Sequence, residues 1–255
     1  MKRHLTLRLR ADGCAAEAAL NGISLARVSA CGGSTVLPVH EYLLRGVNRL
    51  SLRVDPASVD HAQASTPIEA VLELRLASLG EASAGAGHRV LARAAWAKPA
   101  AFDIDVDVTL PIDFPRWRWL DVPPLPVTSL AAVRARALQC VQQRVLEFRG
   151  GDADGWFALT RLALEERGVA YGGDVRVAQA AFLNTLRAAP DGRPWSWTWP
   201  ADEDLVLRPE ADGRLLSCLR RAGGPALEAR SRDGRHTWTL PLRLSWLDER
   251  LHGLR

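Results

Sequence analysis

Apolar and polar residues alternate with a period of two through much of the first third of the chain. The opening pattern has its apolar members at Leu5, Leu7 and Leu9. Because successive side chains of a strand point to opposite faces, this alternation predicts a strand with one buried face. The same pattern recurs over residues 48–54, 68–76 and 88–96.

The clearest alternation covers residues 102–114, where apolar residues hold the even positions. Pro111 lacks the N–H that a strand ladder needs, so we expect an edge strand or one that leaves its sheet there. The triplet Asp103, Asp105 and Asp107 is spaced like the start of a calcium loop. The glycine and glutamate that such a loop requires further along are missing. We therefore predict a solvated or arginine-paired strand face.

Turn signals separate the predicted strands. Asn21-Gly22 lies between two short apolar runs and is a strong hairpin signal, and further turns are marked by Gly32-Gly33 and by residues 45–48. Short strands with turns between them predict an all-β antiparallel sandwich over residues 1–116.

Three runs in this region, Ala19–Ile23, Leu37–Val39 and Leu44–Leu50, resemble the galactose-binding-like (jelly-roll) β-sandwiches. In those domains an Asn-Gly hairpin is followed by a Leu-x-x-Gly-x-Asn-x-Leu turn into a strand. The resemblance implies a sandwich of that architecture. Many such domains bind sugars and many others only pack against a neighbour, so it does not by itself assign a function.

The pattern changes at residues 117–127, which we predict to be a proline-rich linker. Three prolines in four positions, Pro123, Pro124 and Pro126, favour a stiff, extended connection. The second domain then covers residues 128–255.

Helical periodicity appears only in this second domain. Thr128 or Ser129 can cap a first helix that ends at Gly150-Gly151. A second helix, capped by Asp152 or Asp154, is predicted to end at Gly168, and a third begins after a cap at Asp174. Beyond Pro190, Asp-Gly and Gly-Gly turns separate short strands. Helices followed by a strand meander predict an α+β domain with helices packed on a curved antiparallel sheet.

This order, with the helix end at Phe148–Asp152 and the following Trp156-Phe157, resembles the NTF2-like (cystatin-like) α+β fold. The resemblance implies a cone-shaped domain over residues 128–255. It transfers no catalytic residue to this chain.

Composition and charge argue against two classes of partner, nucleic acids and membranes. The chain has 33 basic and 29 acidic residues, a net charge of +4, and the two signs alternate along it. A nucleic-acid footprint would require a concentrated basic stripe, so no nucleic-acid partner is expected. No run approaches the ~18 apolar residues of a membrane span and no apolar leader follows the N-terminal charges. We expect a bacterial protein of the cytoplasm without a membrane partner.

The chain shows no signature of a metal or cofactor site. Its four cysteines are dispersed, none forms a Cys-x-x-Cys pair, and no histidine lies at ligand spacing from them. No glycine-rich loop joins a strand to a helix in the way that nucleotide phosphates require. We predict no metal and no cofactor.

Nine tryptophans are the most unusual feature of the composition. Trp195, Trp197 and Trp199 share one face of an extended segment that follows Arg193, and Trp117 and Trp119 alternate with arginines near the linker. Tryptophan combines large apolar area with one N–H group, which suits cores, interfaces and sugar platforms. Four roles stay open: core filling, joining the two domains, a partner surface, and a ligand platform.

From these patterns we expect a non-catalytic binding or adaptor protein. It would act through a Trp/Arg-rich surface, with Arg193, Trp195, Trp197, Trp199, Trp117 and Trp119 as the candidate binding residues. A protein partner or self-association is favoured over a small ligand, because tryptophan and arginine dominate protein interfaces.

The alternative is a small-molecule enzyme or ligand-binding protein that uses the cone pocket. Its candidate catalytic residues are Tyr171, Asp174 and His236, one of which would act as a general base. Sugar binding by the first domain ranks behind both, because Tyr42 and Trp96 are the only aromatic residues other than histidine among the first hundred.

Overall fold

A computed structural model describes residues 3–58, 68–78, 88–97, 102–125, 127–247 and 250–254. The chain divides into two compact units, Met1–Arg116 and Trp117–Arg255. Within the described ranges there are four antiparallel sheets and three α-helices, in agreement with the predicted β-rich chain. None of the helices in these ranges has the length and apolar character needed to cross a membrane.

The first unit contains two four-stranded antiparallel sheets. The strands are β1 (Arg3–Asp12), β2 (Ala16–Leu20), β3 (Ile23–Val28), β4 (Gly33–Pro38), β5 (Gly46–Val54), β6 (Glu69–Ser78), β7 (Arg89–Ala97) and β8 (Asp103–Leu110). One sheet has the strand order β4-β1-β6-β7 and the other has the order β3-β2-β5-β8.

The core of this unit follows the predicted alternation. The three leucines of β1, at positions 5, 7 and 9, are fully buried, and in the register of β1 with β6 they lie opposite Leu76, Leu74 and Leu72. Leu50 and Leu52 of β5 are buried in the other sheet. Burial of these leucines removes their apolar surface from water, which stabilises the unit.

Strand β8 is an edge strand that ends at Leu110, immediately before Pro111, as the sequence predicted. Its aspartates lie on an exposed face beside arginines of β5: Arg49 Nε is 2.8 Å from Asp107 and Arg53 Nε is 3.7 Å from Asp103. The hydrogen bond from Arg49 lowers the pKa of Asp107 below its ordinary value. The predicted arginine-paired face is thus present, and charges of this kind discourage pairing of an edge strand with another chain.

The second unit begins with three helices: α1 (Leu130–Arg149), α2 (Asp154–Tyr171) and α3 (Val175–Arg187). Helix α3 has the predicted cap, since the Asp174 carboxylate accepts a 2.8 Å hydrogen bond from the backbone N–H of Arg176. Helix α1 ends at the predicted pair of glycines, where Gly151 has a φ of 72°.

Helix α2 differs from the prediction at its end. Gly168 lies inside the helix, which continues for another turn and stops at Gly172 in the left-handed conformation, with a φ of 68°. A Cβ atom on Gly168 would lie 3.2 Å from the carbonyl oxygen of Gly173. Gly168 therefore permits a close approach of the chain that returns towards α3, and Gly172 supplies the termination.

The seven strands of the second unit form two antiparallel sheets instead of the single curved sheet that was expected. They are β9 (Ser196–Trp197), β10 (Leu205–Glu210), β11 (Leu215–Arg220), β12 (Leu227–Arg230), β13 (Thr237–Leu240), β14 (Arg243–Leu247) and β15 (Arg250–Gly253). The strand orders are β13-β12-β9 and β10-β11-β14-β15.

The segment predicted as a linker is hydrogen-bonded within the second unit. The Arg214 side chain donates to the carbonyl oxygens of Leu120 and Val122, at 3.3 and 2.6 Å. The backbone N–H of Leu125 donates to the carbonyl oxygen of Gly213 at 2.9 Å. These bonds attach residues 120–125, including the first two prolines, to the turn between β10 and β11.

Candidate interaction surface

Seven aromatic rings pack together in the second unit, and two of the candidate binding tryptophans belong to this cluster. The rings belong to Phe148, Trp156, Phe157, Phe182, Trp195, Trp197 and Trp238. Ring separations run from 4.7 to 6.0 Å, the range in which tilted and offset aromatic pairs attract. The cluster joins α1, α2 and α3 to the sheet β13-β12-β9.

Trp195 and Trp197 are core residues. Their exposed fractions are 9% and 3%. The indole N–H of Trp195 donates a 2.7 Å hydrogen bond to the carbonyl oxygen of Thr185 near the end of α3. The ring of Trp197 lies 4.7 Å from that of Phe148, and its strand pairs with β12 opposite Ala229. Their burial removes both side chains from any exposed platform.

Trp199 lies on the same period-two face but is exposed. Strand β9 ends at Trp197, so Trp199 lies beyond the sheet, and the residue is 40% exposed. Of the three alternating tryptophans, it alone presents its ring to solvent.

Arg149 connects the end of α1 to this tryptophan. Its guanidinium donates a 2.9 Å hydrogen bond to the carbonyl oxygen of Trp197, and its Cζ atom lies 5.9 Å from the centre of the Trp199 ring. A guanidinium at this distance from the face of an indole is attracted by the ring electrons. Arg149 thus satisfies a backbone acceptor of β9 and holds the exposed ring at the same time.

The chain after β9 runs along α1 in the opposite direction. Gln142 Nε2 donates to the carbonyl oxygen of Pro200 at 3.4 Å, and Arg134, two turns earlier in the helix, donates to the carbonyl oxygens of Asp202 and Leu205. These side chains fix the path of the segment that carries Trp199.

Leu146 adds an apolar side chain to the same side of α1. It lies four residues after Gln142 and three before Arg149, a spacing that places all three on one face of a helix. Leu146 is 51% exposed. We call the side chains of Leu146, Arg149 and Trp199 the Trp199 surface.

The charge of Arg149 is not neutralised by an acid within the described part of the chain. No carboxylate there lies within 4 Å of its guanidinium, whereas Arg134 and Arg144 of the same helix pair with Asp202 and Glu147. The Trp199 surface therefore combines one cation, one exposed indole and one exposed leucine.

The remaining predicted binding residues lie elsewhere in the second unit. Trp117 and Trp119 are buried, with the intervening Arg118 donating its backbone N–H to Glu166 at 2.6 Å. Arg193 is exposed in the turn before Trp195, where its carbonyl oxygen accepts from the N–H of Ala189.

Two of the three candidate catalytic residues lie at the connection between α2 and α3, and the third lies in a hairpin of the sheet. Tyr171 is the last residue of α2, and Asp174 uses its carboxylate to cap α3. His236 is exposed in the hairpin turn between β12 and β13, where its backbone N–H and carbonyl oxygen both bond to Ser231.

Three of the four cysteines are partly or fully buried, and burial raises the pKa of their thiols. Burial raises the pKa of Cys140 and, more strongly, of Cys218, whose pKa is raised further by the nearby Cys140. Cys14 is also buried and its pKa is raised, whereas Cys31 is exposed in a turn. Within the described ranges no three His, Cys, Asp or Glu side chains gather in a way that would hold a metal ion.

Sequence reasoning did not select Leu146 and Arg149 as binding residues. A signal for Leu146 was present, because it falls outside the apolar stripe of α1 that contains Val141, Val145 and Phe148. Arg149 carried no such signal, since its role depends on a contact across 48 residues of sequence.

Comparison of the chain with protein-family models, with curated proteins and with solved structures gives no match.

Proposed function

We propose that this chain is a non-catalytic binding protein that contacts a protein partner through the Trp199 surface. The observation that carries the proposal is the exposure of Trp199 at 40%, next to two tryptophans that are buried. The exposed indole lies against the Arg149 guanidinium, and the exposed Leu146 lies one helical turn before Arg149. Exposed apolar side chains grouped around a cation in this way are typical of interaction sites.

The anchoring of Trp199 supports the same proposal. Tryptophan and arginine are the residue types that most often dominate the energy of protein interfaces. Arg149 is already held by Trp197 and lies over Trp199, so less side-chain freedom is lost when a partner binds. The surface is preorganised for contact.

The proposal extends to the cell compartment, the kind of partner and the fold families of the two units. We retain the cytoplasm of a bacterium as the location, and a separate protein or a second copy of the chain as the partner. The two antiparallel sheets of the first unit support a galactose-binding-like architecture there. For the second unit, the order of three helices before the strands supports an NTF2-like architecture, whereas the division of its strands into two sheets does not.

The cone-pocket alternative gains no support from the positions of its residues. The Asp174 carboxylate is engaged at a helix cap and His236 lies in an exposed turn, so neither has the buried setting that tunes a general base.

A site-specific photocrosslink tests the proposal. A photoreactive phenylalanine analogue replaces Leu146 in the full chain, and a matched chain carries it at Val177, which is 66% exposed on α3. We expect illumination in a lysate of the source cells to give one protein adduct from position 146 that disappears in a Trp199→Ala background. Equal adducts from both positions, or none from position 146, would contradict the proposal. An adduct of twice the chain mass identifies a second copy as the partner.

A further inference from the structure

We infer that the partner segment that docks on the Trp199 surface carries a carboxylate, which pairs with Arg149, beside a large apolar side chain, which packs on Trp199 and Leu146. This inference rests on the proposed function and names the kind of partner that the surface fits: an acidic, apolar stretch of polypeptide.

The carboxylate of the partner segment is inferred from the N–H donors of Arg149. A guanidinium has five N–H donors in a planar fork. One of them bonds to the carbonyl oxygen of Trp197, and the side chain is exposed. Since no described carboxylate lies within 4 Å, donors remain for an acceptor from outside, and a carboxylate matches their geometry best.

The apolar side chain of the partner segment is inferred from Leu146 and Trp199, the two apolar neighbours of Arg149. Leu146 lies three residues before Arg149 on the helix, and Trp199 lies against the guanidinium. A carboxylate bound to Arg149 therefore has an exposed leucine and an exposed indole beside it. An apolar side chain adjacent to the acid in the partner would remove both from water.

The surrounding charges favour a single carboxylate over a polyanion. Asp152 follows Arg149 by three residues, and Glu203 lies on the turn that follows Trp199; both are exposed. A phosphate backbone that extended beyond Arg149 would meet these acids. The positive charge is local, so it suits one acid of a short peptide segment.

Defined peptides test the inference on the full-length protein. The probes are acetylated, amidated octapeptides in which a single glutamate, glutamine or lysine lies between two leucines and the other positions are serine, together with a single-stranded thymidine octanucleotide. Binding is followed by the indole N–H signal of Trp199 in a ¹H–¹⁵N spectrum, which is identified by its loss in Trp199→Phe. The other indole signals report whether each variant stays folded.

We expect the glutamate peptide to shift the Trp199 signal and to bind more tightly than the glutamine and lysine peptides. Arg149→Gln should weaken the glutamate peptide by about 10- to 100-fold, the value of charge-assisted hydrogen bonds. The matched Arg176→Gln, which removes an exposed arginine of α3, should leave its affinity unchanged. Arg149→Glu should reverse the preference and favour the lysine peptide, which a purely structural role of Arg149 would not produce.

Three results would overturn the inference. They are equal affinity for the glutamate and glutamine peptides, no shift of Trp199 with any peptide, and tighter Arg149-dependent binding of the oligonucleotide. A crosslink from position 146 combined with any of these would preserve the binding function and reject the acidic segment. The absence of that crosslink would reject the function itself.

Discussion

The side-chain amide of Asn21 donates a 2.9 Å hydrogen bond to the side-chain carbonyl oxygen of Asn48. Asn21 is the first residue of the hairpin turn between β2 and β3, where it and Gly22 have φ values of 52° and 76°. Asn48 lies in β5 and is fully buried. The two asparagines that carried the family resemblance of the first unit thus bind each other and connect a hairpin to the turn that precedes β5.

Asn48 satisfies every hydrogen-bonding group of its side chain. Its Oδ1 accepts from Asn21 and from the N–H of Leu44 at 2.7 Å, and its Nδ2 donates to the carbonyl oxygens of Leu44 and Gly46 at 3.0 and 3.1 Å. Asn48→Ala leaves these partners unsatisfied in the interior. We expect it to lower the free energy of unfolding by about 3 kcal/mol.

Hydrogen exchange of residues 44–54, followed by mass spectrometry, measures this effect where it arises. Thr109→Ala is the matched control, because it removes a polar side chain from an exposed position of the neighbouring strand β8. Equal exchange rates in the two variants would show that the asparagine network does not hold the turn.

A second prediction concerns Gly155 in the first turn of α2. A Cβ atom there would lie 2.5 Å from Arg144 Nη1 and 2.6 Å from Glu147 Oε2. These groups form an ion pair of α1 whose side chains are 13% and 16% exposed. Glycine to alanine normally stabilises a helix by about 1 kcal/mol, but here we expect a loss of about 1–2 kcal/mol, because the buried pair must move.

Whether Gly155→Ala stabilises or destabilises the protein is then measured in a variant that lacks the Arg144–Glu147 ion pair. In the double variant Arg144→Ala, Glu147→Ala, the same Gly155→Ala change should become stabilising, as in an ordinary helix. Urea unfolding monitored by circular dichroism gives both values. A destabilisation of the same size in both backgrounds would mean that the ion pair is not what excludes a Cβ atom at this position.

Local patterns were sufficient to predict much of the fold. The alternation of leucines predicted β1, the Asp174 cap predicted the start of α3, and Pro111 predicted the end of β8, because each depends on neighbours in sequence. Gly168 was misjudged, since a glycine inside a helix is distinguished from a terminal one only by what approaches it.

The candidate site was harder to predict for the same reason. The tryptophans of residues 195–199 were recognised as unusual, but their period-two pattern does not show where the sheet ends. The end of β9 after Trp197 decides that Trp199 is exposed. The contribution of Arg149 arises from a hydrogen bond to a distant backbone carbonyl, and no residue type or spacing encodes such a contact.

A third prediction follows from the raised pKa of Cys218. Burial favours the neutral thiol in the folded state, so between its ordinary value of 9.0 and the raised value the unfolded chain binds fewer protons. Stability should therefore be unaffected by this group below pH 9 and should fall as the pH rises above it, with a limiting slope of about 1.4 kcal/mol per pH unit.

Comparison of Cys218→Ala with the natural chain between pH 8 and 10.5 isolates this group. Unfolding is followed by tryptophan fluorescence, because eight of the nine tryptophans lie in the second unit. The cost of the substitution should shrink as the pH rises. Cys31→Ala, at an exposed position, serves as the control, and a cost for Cys218→Ala that stays constant with pH would reject the assignment.

The last prediction separates the core tryptophan from the surface tryptophan. Trp197 is 3% exposed and packs on Phe148 and Trp238 at 4.7 and 5.4 Å, so Trp197→Ala should cost about 3–5 kcal/mol of unfolding free energy.

Trp199→Ala removes an exposed ring whose described ring contact is the Arg149 guanidinium, and it should change the unfolding free energy by less than about 1 kcal/mol. Urea unfolding of both variants in parallel makes the comparison. If Trp199→Ala were as destabilising as Trp197→Ala, Trp199 would be a structural residue of the second unit. Its exposure would then give no reason to assign it to a partner, because selection for folding alone would account for a tryptophan at this position.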